Sequence, residues 1–324
     1  MPGSSAVEIA PILAGKVRAA ARLITRIEDG DPSARPLLQA LYPHGGKARI
    51  VGVTGPPGAG KSTLVDQLVA LYRARGAKVG VVAVDPSSPF TGGAILGDRI
   101  RMSRHYTDPG VFIRSMATRG HLGGLARATG EAALVLDAMG CGVVFVETVG
   151  VGQGEVDVVR LAHAVVLVQA PGGGDEIQAA KAGIMEIGDV FAVNKARREG
   201  ADRTVKEIEE MLDLRHPPAG HPGAGEGWRP PVLKTEATEG EGVEALAGAI
   251  GARCAYLEAH PGEGARLRRE QARHLLAEVL RDLAAERVLR AAGGGARFEA
   301  LLDAIAERRE DPYSAAQAML EGGC

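Results

Sequence analysis

Between residues 50 and 234 the chain carries short apolar runs with few polar interruptions, at 50–54, 79–84, 111–114, 143–147, 164–169, 190–193 and 231–234. Runs of this length, without helical spacing, predict strands buried on both faces. The intervals at 62–75, 123–138, 177–187 and 203–214 instead predict helices. Strands alternating with helices predict an α/β fold, with a mostly parallel central sheet flanked by helices. Ligands of such sheets sit outside the carboxyl ends of the strands. The residues with chemistry to offer fall there: Gly55 after the first run, Asp85 after the second, Glu147 at the end of the fourth, Gly172 after the fifth and Asn194 after the sixth.

The flanks read differently. Val17, Ala20, Ala21, Leu23, Ile24 and Ile27 recur at helical spacing, a second short pattern covers 34–41, and Pro43-His44-Gly45-Gly46 breaks it. Residues 1–46 are therefore a helical N-terminal extension, and 47–259 the α/β domain. After a Pro- and Gly-rich loop at 217–230, residues 260–324 read as a C-terminal helical region. Its long helix has a stripe of Leu267, Ala272, Leu275, Leu276, Val279, Leu280, Leu283 and Val288. The stripe suits packing back on the α/β domain or a dimer interface.

Composition narrows the classes. A net charge of −2 gives no electrostatic case for nucleic acid or an anionic membrane. Aromatics at 3% leave little for base stacking. No apolar run approaches the roughly 18 residues that span a bilayer, and the N-terminus lacks a basic, then apolar, leader pattern, so a cytoplasmic protein is expected. Cys141, Cys254 and Cys324 lie far apart with no C-x-x-C, which supports neither a zinc ribbon nor a disulfide framework. Cys141, ahead of an apolar run, reads as a small buried hydrophobe.

The strongest motif is Gly55-Pro56-Pro57-Gly58-Ala59-Gly60-Lys61-Ser62-Thr63. It fits G-x-x-x-x-G-K-[ST] between a predicted strand and a predicted helix, the context a phosphate-binding loop requires. The glycines let the backbone close on phosphate oxygens, and the helix N-terminus supplies N–H groups and a favourable dipole. Lys61 would reach the β- and γ-phosphates and the Ser62 hydroxyl would hold Mg²⁺. The fold class is thus a P-loop NTPase.

Further candidates flank it. Asp85 and Asp98 bracket a Ser-, Gly- and Pro-rich loop and suit direct or water-mediated contact with magnesium; as a loop cap and a helix N-cap they have ordinary roles as well. Arg101 either balances phosphate charge or lies on a solvated helix face. Glu147, followed three residues later by Gly150, has the pattern of a second nucleotide-sensing switch: the acid near a magnesium water, the Gly150 N–H near the γ-phosphate. Gln153 is a candidate for orienting water, two residues beyond the usual position. Gly172-Gly173-Gly174-Asp175, with Lys181 beyond, suggests a third mobile segment or a plain capped loop.

The runs 85–102, 147–153 and 172–181 resemble the MeaB/ArgK family of P-loop G-proteins, and the resemblance covers nearly the whole chain. It implies a GTPase that binds GTP and GDP with Mg²⁺ and serves as chaperone to an adenosylcobalamin-dependent acyl-CoA mutase, above all methylmalonyl-CoA mutase. It implies Ser62, Asp98 and Glu147 around the metal with Asp85 nearby, Asp175 and Lys181 in a switch that supports stimulated hydrolysis, and a homodimer built through the terminal helices. A metal-centre maturation NTPase and a transport-associated kinase of basic amino acids are the rival readings. The first would carry a C-x-C-C motif or a His-rich tract, the second a phosphoacceptor site and a membrane partner.

One residue departs from the family pattern. The family reads guanine with Asn-Lys-x-Asp; here the run is Asn194-Lys195-Ala196-Arg197. The missing Asp accepts from guanine N1–H and the 2-amino group, and Arg has donors only. Losing that acceptor costs on the order of 2–4 kcal/mol, enough to weaken guanine selectivity. Glu199 or Asp202 swinging in, or Asn194 and Lys195 holding the base without discrimination, are the possible rescues. Thr235, Glu236 and Ala237 are expected to contact the base through backbone N–H groups.

Overall fold

The computed structural model describes residues 2–85, 102–117, 124–148, 160–172, 187–215, 227–291 and 295–321. Its centre is a seven-stranded sheet in the order β3-β2-β4-β1-β5-β6-β7. The strands are β1 (Arg49–Thr54), β2 (Val79–Asp85), β3 (Val111–Ala117), β4 (Val143–Glu147), β5 (Ala164–Gln169), β6 (Val190–Asn194) and β7 (Val232–Thr235). Every pairing is parallel, where the sequence predicts a mostly parallel sheet. All seven predicted runs are strands. Those of β4, β5 and β6 are buried at every residue, which is why they lack the polar alternation of a half-exposed strand.

The described helices are α1 (Pro2–Leu13), α2 (Val17–Glu28), α3 (Ala34–Leu41), α4 (Lys61–Ala74), α5 (Gly124–Ala138), α6 (Ala201–Arg215), α7 (Val243–Ala259), α8 (Pro261–Ala291), α9 (Gly295–Ala306) and α10 (Pro312–Glu321). The helix expected at 177–187 lies almost wholly outside the described residues. On one face of the sheet, Val51, Val53, Phe145, Val166 and Val168 pack with Leu64, Leu68, Leu246 and Ile250 of α4 and α7. On the other, Val82, Val84, Val144 and Val146 pack with α5 and with Ile12, Leu23, Ile24 and Leu41 of the first three helices.

The N-terminal helices thus share a core with the sheet. Two buried polar contacts lock them on. Glu28 pairs with Arg114 of β3, and that guanidinium also donates to Thr25 Oγ1 at 3.1 Å. At the 43–46 break, the Asp137 carboxylate on α5 accepts from the backbone N–H of Gly46, from that of Lys47 at 3.2 Å and from that of Ala48 at 2.8 Å. One carboxylate therefore satisfies successive backbone donors of a turn that no ladder could serve.

The chain divides into two compact units, Met1–Arg268 and Arg269–Cys324. In the second, Leu276 and Leu280 are 68% and 63% exposed. Among the described residues no helix is long and apolar enough to cross a membrane.

Candidate nucleotide site

With β4 on one side of β1 and β5 on the other, the carboxyl ends of β1, β4, β5, β6 and β7 form one crevice, at the point where the strand order reverses. The 55–63 loop fills it. Gly55 has φ +137°, and a Cβ there would stand 2.0 Å from the Val168 carbonyl of β5. Gly60 has φ +93°, and its Cβ would stand 2.3 Å from Asn194 Nδ2. Both are positions where only glycine fits a loop pressed against its neighbours. Ala59 is buried, and its N–H donates to the Pro56 carbonyl at 3.2 Å. Leu64 N–H closes the first turn of α4 on the Gly60 carbonyl at 3.0 Å. Residues 61–63 are then the helix N-terminus facing the loop, the arrangement that binds anions.

Lys61 is buried, and its Nζ donates to the carbonyls of Gly55 at 2.8 Å and Pro56 at 3.1 Å. The ammonium thus rests inside the loop on neutral carbonyls among its partners, and an anionic phosphate oxygen is a stronger acceptor than these. Ser62 and Glu147 meet beside it: the buried Ser62 Oγ donates to Glu147 Oε1 at 2.6 Å. Register explains the meeting. Glu147 pairs with Val53, so β4 ends level with the start of the loop. A carboxylate and a hydroxyl held together in a buried site are hard oxygen donors of the kind Mg²⁺ prefers, and the residues present fit such an ion.

Sequence reasoning passed over Thr148. Its N–H donates to the Val53 carbonyl at 3.0 Å, and its hydroxyl donates to Thr54 Oγ1 at 2.9 Å. Both threonines are buried, so they rivet the ends of β1 and β4 directly under the loop. A hydroxyl residue ending one predicted strand, Thr54, and another one past the end of a second, Thr148, were the available signal.

The far wall is made by the turns after β6 and β7. Asn194 is buried and joins three elements. Its Nδ2 donates to the Ala59 carbonyl at 2.8 Å, and its Oδ1 accepts from Ala237 N–H at 3.0 Å and Thr235 Oγ1 at 3.2 Å. Lys195 has φ +59°, a left-handed conformation uncommon for a non-glycine residue. Its Nζ donates to the Gly58 carbonyl at 2.6 Å. The exposed Arg197 guanidinium pairs with Glu241 at 2.5 Å, and this bond holds its proton affinity above the usual arginine value.

Thr235, Glu236 and Ala237, expected to contact a base, lie in the turn after β7, where Thr235 and Ala237 bond Asn194. However, the N–H groups of Glu236 and Ala237 already donate within the protein, to the Glu241 carbonyl at 3.0 Å and to Asn194. Asp202 is held by Lys234 rather than turned in beside Arg197. Asp85 is the last residue of β2, level with Ala117 of β3. Asp98, Arg101, Gly150, Gln153, Asp175 and Lys181 lie outside the described residues. Among the described residues no group of three or more His, Cys, Asp or Glu is placed to hold a metal ion.

Comparison with known proteins gives this arrangement a family context. Residues 20–293 match the family described as methylmalonyl-CoA mutase-associated GTPase MeaB. A Pyrococcus abyssi protein bearing a GTPase name is 51% identical over 307 residues, covering 95% of this chain and 93% of that protein. The GTPase ArgK of Escherichia coli is 39% identical over 239 residues, 71% of this chain and 70% of that one. The crystal structure of a protein titled LAO/AO transport system kinase aligns with a TM-score of 0.68 at 26% identity, over 98% of this chain and 97% of that one.

Proposed function

The chain belongs to the family of methylmalonyl-CoA mutase-associated GTPases, and on that premise we propose that it is a magnesium-dependent G-protein chaperone of an adenosylcobalamin-dependent acyl-CoA mutase. Methylmalonyl-CoA mutase, the enzyme in the family's description, is the first candidate client. As a P-loop GTPase the protein binds guanine nucleotide; the metal, the client and the switch roles are the proposal.

The observation that carries the metal-dependent GTPase is the buried Ser62–Glu147 pair at 2.6 Å beside the phosphate loop; the client rests on the family's description. Gly55, Pro56, Pro57, Gly58, Ala59, Gly60, Lys61, Ser62 and Thr63 would wrap the phosphates, Lys61 leaving its two carbonyls for phosphate oxygens. Ser62 and Glu147 would hold Mg²⁺ with Asp98, and Asp85 nearby. When bound, the ion would neutralise phosphate charge as it shifts toward the leaving group. Glu147 ends the strand that leads to Gly150. Exchange of the Ser62–Glu147 bond for metal contacts would therefore tie occupancy of the site to the segment after β4. Arg101 and Lys181 would add positive charge at the phosphates when the client docks, with Asp175 in the same switch as Lys181.

The exposed Leu276 and Leu280 of α8 support a homodimer through residues 260–324, beside an N-terminal extension at 1–46 and a GTPase domain at 47–259. We place the protein in the cytoplasm together with its client.

The test is GTP hydrolysis by the purified protein with Mg²⁺, with EDTA, and with each candidate cobalamin mutase. Dependence on Mg²⁺ and acceleration by one mutase are expected. Acceleration by none overturns the chaperone reading, and full activity in EDTA overturns the metal. Capture of a membrane permease instead would favour a transport-linked kinase.

A further inference from the structure

At the base end of the crevice, the turns 194–197 and 235–237 are clasped so that residue 236 lies against residue 197. Asn194 Oδ1 holds Thr235 and Ala237, and Ala196 N–H donates to the Thr235 carbonyl at 3.1 Å. In that clasp Glu236 Oε2 accepts from the backbone N–H of Arg197 at 3.4 Å, while Oε1 accepts from Thr238 Oγ1 at 3.0 Å. A carboxylate therefore stands beside the main chain of residue 197. Each carboxylate oxygen has a second lone pair, so these bonds leave acceptor capacity. Arg197 does not compete for the space, because Glu241 holds its guanidinium at 2.5 Å.

We propose that Glu236 is the guanine-reading acceptor of this chain, carried on the turn after β7 in place of an Asp at position 197, with Glu241 holding Arg197 aside. The inference rests on the GTPase reading and deepens it: selectivity for a base with donors at N1 and the 2-position is kept rather than lost. Two features give it physical sense. A carboxylate facing two donors forms charge-assisted bonds, about twice as strong as neutral ones. A site built to bond a substrate N–H rejects an analogue lacking it, because the acceptor is then left without its partner.

The experiment is Glu236→Gln, measured by equilibrium binding of GTP, ITP, XTP and ATP with unfolding temperature as a control. Glutamine keeps the length of the side chain but replaces one acceptor by a donor, which suits the 2-oxo group of xanthine and opposes the 2-amino group of guanine. Wild type is expected to prefer GTP over ITP and ATP by at least tenfold. The variant should lose at least tenfold in GTP affinity and bind XTP more tightly than GTP, at an unchanged unfolding temperature. A variant that still prefers GTP over XTP overturns the proposal, as does a wild type that binds GTP, ITP and ATP alike. Those outcomes leave the nucleotide site standing; a wild type that binds none of the four overturns the GTPase reading beneath it.

Discussion

Replacing Asn194 by alanine tests whether one buried amide joins the phosphate loop to the base-side turns. The side chain is 2% exposed. It makes three hydrogen bonds: to the Ala59 carbonyl at 2.8 Å, from Ala237 N–H at 3.0 Å and from Thr235 Oγ1 at 3.2 Å. A typical net value is about 1 kcal/mol for each, and a buried partner left unmade costs about 1–3 kcal/mol. The sum is about 3–5 kcal/mol. At about 2 °C per kcal/mol for a chain of this size, Asn194→Ala should unfold about 6–10 °C below wild type in the absence of nucleotide. Asn194→Asp keeps the acceptor toward Ala237 and Thr235 but sets a carboxylate oxygen against the Ala59 carbonyl, so it should fall between the two. Differential scanning calorimetry of the nucleotide-free proteins reads the effect. A shift below 2 °C for the alanine variant would refute the reasoning, since it would mean that water or relaxation satisfies all three partners.

Gly55→Ala should destabilise by about 2–4 kcal/mol and abolish nucleotide binding, because its Cβ would meet a backbone carbonyl at 2.0 Å. Gly58→Ala, with nothing within 4 Å of its Cβ, should cost only about 1 kcal/mol of left-handed strain; equal losses in chemical denaturation would contradict this. Burial lifts the Asp189 carboxyl to about 6, against the pull of Arg253 and of the Val165 N–H. The folded state therefore holds that proton more tightly than the unfolded chain does. The stability this group adds is present in full below about pH 4 and lost as pH rises through about 6, by about 3 kcal/mol in all. Asp189→Asn should flatten the fall in unfolding temperature between those pH values relative to wild type, and parallel profiles would sink the idea. Burial also pushes the Cys141 thiol up to about 12, so iodoacetamide at pH 8 should modify Cys141 in the denatured chain and not in the native one, as read by peptide mass spectrometry.

What could be read from the chain alone was what local pattern encodes. Apolar runs without alternation mark strands buried on both faces, and all seven were placed within a few residues. The 55–63 loop was legible because its chemistry is contiguous: glycines, lysine and hydroxyl belong to one strand–turn–helix. Cys141 was legible as a buried hydrophobe for the same reason. Contacts between distant residues were not. The Thr54–Thr148 rivet depends on β4 lying beside β1, and the shared core of α1–α3 with the sheet on which face those helices cover. Arg197 shows the limit most clearly. Taken alone it removes an acceptor from a guanine site. Only the tertiary structure decided that residues 197, 236 and 241 stand together, because their meeting depends on β6 pairing with β7 in the register that sets Asn194 opposite Thr235. Periodicity along one segment determines the elements; the register between segments determines which side chains share a site.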